Sequence, residues 1–211
     1  MNLTSCISTQ CLLTVYRSNY AAVAADTFSS ELGILSTSPP RLITSPWRSV
    51  PPGTNGGVTT TGIRAGLLGA SIISVTATLL MPFCSTSPPS QNAGWAIHSK
   101  VTFAVSVTLI GICGSLLDSL LGAVLQASVV DVRSGKIVEG DGGGKVPIHA
   151  IGLTTTAEKK EDTTQESRRI EVGHDILSNN GVNLLMASIM SGLAIVGTAW
   201  VWGVPLGKVL T

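Results

Sequence analysis

The sequence predicts an all-α integral membrane protein, a bundle of three or four transmembrane helices with one long cytosolic loop. Three observations carry that prediction. Only 12% of the 211 residues are charged against 44% hydrophobic, and mean hydropathy is +0.42; a soluble domain usually carries about 25% charged residues. Such a chain has too few charges to cover a water-exposed surface. The charges it does have cluster within residues 131–171, leaving the remainder close to charge-free. Finally, three stretches, about 63–81, 101–126 and 184–206, are long enough to cross roughly 30 Å of hydrocarbon at about 1.5 Å per residue.

Taken in order, residues 1–19 read as a variable N-terminal segment and 20–211 as the membrane domain. The start does not read as a cleaved signal, because it lacks a basic leader and Arg17 interrupts its apolar run. Residues 11–28 are apolar and Ala-rich but hold Arg17 and Asp26. They read equally as a fourth span or as a helix packed on the others. Residues 35–57 are rich in Pro, Ser and Thr and read as a loop. After the second span, VVDV-RSG-KIVEG reads as a short hairpin closed at Gly135. GDGGGK and TTTAEKKEDTTQESRR, within the charged loop 131–172, read as disordered. Trp200 and Trp202 suit an interfacial aromatic belt.

Each span carries small or polar residues on one face at 100° per residue. These are Gly62, Gly66, Gly69, Ile73 and Ala77 in the first, and Gly111, Ser115, Asp118, Ser119, Gly122 and Gln126 in the second. In the third they are Asn180, Asn183, Ala187, Ser191, Ala194 and Thr198. Small residues let helices approach closely in lipid, where apolar surface alone gives no drive to associate. The faces are therefore expected to meet in one bundle with a polar interior. Lys and Arg segregate eleven to two between the two sides of a three-span chain. The N-terminal segment and the long loop are expected to be cytosolic.

Several functions are excluded. A net charge of +1 provides no basic field for nucleic acid, and 4% aromatics provide no stacking platform. Cys6, Cys11, Cys84 and Cys113 form neither a CxxC pair nor a zinc spacing. His98 and His149 stand alone in loops, and no Ser-His-Asp or Cys-His arrangement is present.

Four features carry candidate chemistry. Asp118 lies mid-span in GSLLDSLLGA, where an acid costs about 2.5–3.5 kcal/mol to insert. It serves either a ligand or a structural hydrogen bond to a neighbouring helix. Asp26 and Glu31 lie five residues apart, about 140° on a helix. They either bridge a metal–nucleotide at a helix end, as Mg²⁺ prefers a few carboxylates plus phosphate oxygens, or belong to a solvated helix terminus. Gly53, Thr54, Asn55, Gly56 and Gly57 immediately precede the first span. They form either an anion site built from backbone N–H groups or an ordinary Pro-Pro-Gly turn. HDILSNNGVN, with Asn179 and Asn183, leads into the third span. It either caps that helix or lines the mouth of the polar interior.

AADTFSSELGILSTSPPRLIT, VPPGTNGGVTTTG, GSLLDSLLGAVLQ and HDILSNNGVNLL, in that order, resemble the transmembrane protein 19 family, domain-of-unknown-function family 92. The matching blocks cover most of residues 20–206 outside the charged loop. The plant branch of that family is similar to a plastid phytyl-phosphate kinase, which uses a nucleoside triphosphate to make phytyl diphosphate. The resemblance therefore implies an isoprenoid-phosphate kinase-like activity, using CTP or ATP and a prenyl phosphate. In that scheme the glycine turn holds phosphates and Asp26 and Glu31 hold Mg²⁺. Asp118, with Asn179 and Asn183, orients the acceptor phosphate or the metal. The family normally has further spans before its DTxxSELG block, so a chain shortened at its N-terminus is expected. Phe28 stands where the family usually has Trp. Nothing ahead of Tyr20 resembles a plastid transit peptide, and an endomembrane such as the endoplasmic reticulum is expected instead. The alternative is a non-enzymatic carrier or scaffold, for which polar residues should run continuously through the bilayer; the nearly uncharged loop 82–99 offers no second mouth.

Overall fold

In the computed structural model, the described residues are 3–80, 97–138, 168–203, 205 and 207. Four helices account for most of them: α1 Leu3–Gly33, α2 Thr60–Leu80, α3 Ile97–Leu125 and α4 Asn179–Trp202. Three are long and apolar enough to cross a membrane, over Thr60–Leu80, Ile97–Leu125 and Asn179–Val201. The spans thus sit close to their expected places, each starting three to five residues earlier than hydropathy suggests. The shift places His98 inside α3 rather than in a loop.

The chain divides into two units. The first comprises Met1–Ser36, Thr60–Asp118 and Leu184–Thr211, and the regular elements among its described residues are all helices. Its organising element is α1. Ala21, Ala22 and Ala25 are completely buried, and α2 and α3 close on α1 through glycines. A Cβ added at Gly69 would stand 2.7 Å from the Ala24 carbonyl oxygen, and one at Gly66 3.0 Å from that of Ala25. At Gly111 of α3 it would meet both Ala70 Cβ and the Ala21 carbonyl oxygen, at 2.7 and 2.9 Å. Gly114 approaches Ala22 equally closely, with Met190 of α4 beyond it. Glycine supplies the missing volume that lets backbones touch.

Polar groups in this unit pair between helices. Ser74 of α2 and Thr108 of α3 share a hydrogen bond of 2.7 Å between their hydroxyls. Asn19 of α1 donates to Ser191 Oγ and to the Ala187 carbonyl of α4, at 2.6 and 3.1 Å. Arg17, 2% exposed, lies over the Phe103 ring with its guanidinium carbon 5.3 Å from the centroid. Of the small-residue face of α2, Gly62, Gly66, Gly69 and Ala77 are buried and Ile73 is half-buried. On α4, Asn180 departs from the expected inward face and is exposed.

The second unit comprises Thr37–Thr59 and Ser119–Asn183. The stretch 35–57, expected to be a loop, holds strands β1 Arg41–Leu42 and β2 Ser45–Ser49 and the start of β3 Gly57–Val58, in a three-stranded antiparallel sheet ordered β2-β1-β3. Prolines and turn residues mask such short strands in a composition reading. The hairpin at Gly135 forms as expected: β4 Ser128–Asp131 pairs with β5 Lys136–Val138, and Gly135 adopts φ 65°. β6 Arg168–Val172 adds to the other edge of β4, so the last two arginines of the stretch expected to be disordered are in a strand. Leu42, Val50, Ala123 and Val172 form a small core beneath both sheets. Arg48 donates to Glu171 Oε1 at 2.6 Å and Arg169 to Oε2 at 3.0 Å, tying β2 to β6. GDGGGK, His149, most of the TTTAEKKEDTTQESRR stretch, most of loop 82–99 and the Trp202 side chain lie outside the described residues.

Candidate functional site

In the helical unit, Asp26 and Asp118 come together around Ser115. Asp26 is half-buried near the end of α1, and Ser115 Oγ of α3 donates to its Oδ1 at 3.5 Å. Ser115 and Asp118 lie three residues apart on α3, so they share a face. The two carboxylates are within electrostatic reach of each other. Asp118 Oδ1 is buried and has no hydrogen-bond partner among the described residues. A polar atom in that position normally finds a partner, and two like charges facing each other call for a cation, a proton included, between or beside them. Two carboxylates and a hydroxyl form an all-oxygen donor set, which suits a hard cation such as Mg²⁺ with water or phosphate completing its shell.

Glu31 is not drawn into this pair. It is exposed on the last turns of α1, and no group of three or more His, Cys, Asp or Glu assembles among the described residues. The sequence paired Asp26 with Glu31 because they are neighbours in the chain. The structure pairs Asp26 with an acid on another helix. Ser115 was legible only as one of several small residues on α3; its spacing of three from Asp118 is the signal that marks it.

In the second unit, the glycine turn is shaped by packing. Gly53 and Gly56 adopt φ 86° and 75°, the left-handed region open to glycine at no steric cost. A Cβ at Gly56 would collide with Ala123 Cβ and stand 2.7 Å from the Ser119 carbonyl oxygen. Three of the five backbone N–H groups already donate within the fold. Thr54 N–H goes to Pro51 O at 3.2 Å, Asn55 N–H to Ser128 Oγ at 2.8 Å and Gly57 N–H to Thr54 O at 2.9 Å. Asn55 Nδ2 reaches the Ala127 carbonyl at 3.4 Å. Thr54 is buried with its hydroxyl on Pro51 O at 2.7 Å. Of the two remaining positions, Gly53 is exposed and Gly56 is buried.

Asn179 and Asn183 lie one turn apart at the start of α4 and are both half-buried. The capping role falls to Ser178. Its hydroxyl accepts from Gly181 N–H at 3.4 Å, and its carbonyl accepts from Val182 N–H at 3.0 Å. Upstream, the N–H groups of Ile176 and Leu177 both donate to Leu125 O, and His174 Nδ1 lies 3.2 Å from Val124 O. The segment 174–177 thus satisfies the carbonyls left open at the end of α3. The asparagine side chains are spared from capping.

The family model described as integral membrane protein DUF92 matches residues 1–191. The chain belongs to this family. Over 184 residues it is 33% identical to Protein PGR of Arabidopsis thaliana, covering 87% of this chain and 54% of that protein. It is also 39% identical over 111 residues to an uncharacterized membrane protein of Methanocaldococcus jannaschii, covering 53% of this chain and 39% of that protein. The chain thus spans about half or less of the length of these relatives. No solved structure matches. As a DUF92 protein it is a multispan integral membrane protein.

Proposed function

We propose that this DUF92 chain forms part of a cation-dependent phosphotransferase acting on a membrane-borne isoprenoid phosphate, with CTP or ATP as donor. The observation that supports the reading is the Asp26–Asp118 pair. A helical membrane unit retains two carboxylates within electrostatic reach of each other, with Asp118 mid-span where an acid is costly to insert. Asp118 Oδ1 has no hydrogen-bond partner among the described residues. Phosphoryl transfer asks little covalent chemistry of a protein; positioning and charge neutralisation dominate. Within this reading, Asp26 and Asp118 hold Mg²⁺. The glycine turn 53–57 offers backbone N–H groups to phosphate, and Asn179 and Asn183 orient the acceptor. Glu31, exposed at the end of α1, keeps a place in the proposal as an outer cation contact. The reading also puts the protein in an endomembrane such as the endoplasmic reticulum, with the charged loop on the cytosolic side.

A carrier requires polar groups free along a path through the bilayer. The Ser74–Thr108 and Asn19–Ser191 bonds instead close polar groups of the helical unit on one another, which favours the phosphotransferase. The experiment is direct: purified protein is incubated with a panel of prenyl monophosphates, Mg²⁺ and labelled CTP or ATP. Labelled prenyl diphosphate is the expected product. Absence of transfer across the whole panel, in protein extended to the length of its relatives, would count against the reading.

A further inference from the structure

The second unit carries a surface that neither the family nor the proposed chemistry assigns. Strand β2 lies at the edge of its sheet, and its residues Pro46, Trp47, Arg48 and Ser49 are all exposed. Trp47 is 87% exposed, more than any other large hydrophobic residue among the described residues of the second unit. Its position is held by its neighbours rather than left to chance. Arg41 Nη1 donates to the Pro46 carbonyl at 3.0 Å across the hairpin, and Arg48 is fixed by Glu171 at 2.6 Å. Beneath it, Leu42 and Val50 are buried in the small core with Ile43 against it, so the strand cannot turn the indole inward without breaking that core.

We propose that Trp47 is an anchor that inserts into the headgroup–acyl boundary of the bilayer the chain itself spans, with the exposed Arg41 meeting a lipid phosphate beside it. Three observations select lipid as the occupant. The strand sits in a segment closed at both ends by the helical unit: α1 ends at Gly33, and α2, long and apolar enough to cross a membrane, begins at Thr60, thirteen residues beyond Trp47. Indole is amphipathic and concentrates at the membrane interface, where its ring leaves water and its N–H stays wet. Residues 37–59 hold two arginines and no acid; Arg48 pairs with Glu171, and the exposed Arg41 carries a charge that complements anionic headgroups. The inference stands apart from the phosphotransferase reading and survives its failure.

The test uses the full chain reconstituted in vesicles of phosphatidylcholine and phosphatidylserine. The emission of Trp47 is isolated as the difference between the parent and Trp47→Phe, a change at an exposed position that leaves the core untouched. Three conditions are compared: plain lipid, lipid brominated near the top of its acyl chains, and plain lipid with aqueous iodide. The expected difference spectrum is blue-shifted, loses most of its intensity to the brominated lipid and little to iodide. Emission typical of water, quenched by iodide and indifferent to bromine, overturns the proposal. So does emission shielded from both quenchers, which would mean that protein covers the indole. Circular dichroism of the two proteins verifies that the difference reports one side chain in one fold.

Discussion

Replacing Gly111 with valine probes the central claim of the fold, that α1 is the helix on which α2 and α3 converge. A Cβ at this position stands 2.7 Å from Ala70 Cβ and 2.9 Å from the Ala21 carbonyl oxygen. Neither atom is the end of a flexible side chain, so relief requires movement of α1 or α2 as a body. Overpacking of this kind costs about 1–3 kcal/mol, and immovable obstacles put the change near the upper end. Valine recovers roughly 0.5 kcal/mol of helix propensity over glycine, leaving a net loss of about 2 kcal/mol. At about 2–4 °C per kcal/mol for a chain of this length, the melting temperature in detergent should fall by about 4–8 °C. Gly192 of α4 provides the matched control. It is exposed, and a Cβ there meets nothing within 4 Å, so Gly192→Val should leave the melting temperature unchanged or raise it slightly. The assay is thermal unfolding of both variants and the parent, followed by near-ultraviolet circular dichroism. Equal melting of Gly111→Val and parent, or an equal drop in both variants, would refute the three-helix convergence.

Three further expectations follow from the site and the spans. Asp118→Asn keeps the side-chain shape but removes charge, so product formation should fall by about a hundredfold or more while melting temperature holds; full activity in the amide variant rules out a charge-dependent role. Ser178→Ala removes the hydroxyl that accepts from Gly181 N–H and should destabilise the start of α4 by about 1 kcal/mol, read as faster amide hydrogen exchange at residues 179–183; unchanged exchange assigns the cap to another group. A reporter inserted in loop 131–172 should be cytosolic and one in loop 82–99 on the opposite side, because Lys and Arg segregate so unevenly; finding both in one compartment eliminates the three-span topology.

The glycine turn shows where local reading stops. PPGTNGG announces a turn ahead of a helix, and the positive φ values of Gly53 and Gly56 agree. Yet the partners that consume its N–H groups include Ser128, seventy-three residues from Asn55, and no local pattern encodes that distance. Similarly, the short strands 41–42 and 45–49 are held by pairing with each other and by Leu42 and Val50 in the core beneath them. Their own residues, a proline and two serines among them, carry no period to read.

The sequence by itself determined that this protein lives in a membrane, which stretches cross it, and which face of each span is lined by small or polar residues. Those properties depend on composition and on a fixed 100° turn, both carried by consecutive residues. Only the tertiary structure decided which faces meet. It places α1, too polar to count among the spans, at the contacts between α2, α3 and α4 through Ala21, Ala22 and Asn19. It also sets Asp26 beside Ser115 and Asp118 rather than Glu31. Hydropathy averages around a helix and cannot tell a polar group turned toward lipid from one turned toward another helix. In a solvent as apolar as leucine, the choice of partner rests on backbone approach at single glycines and on single hydrogen bonds between segments far apart in the chain.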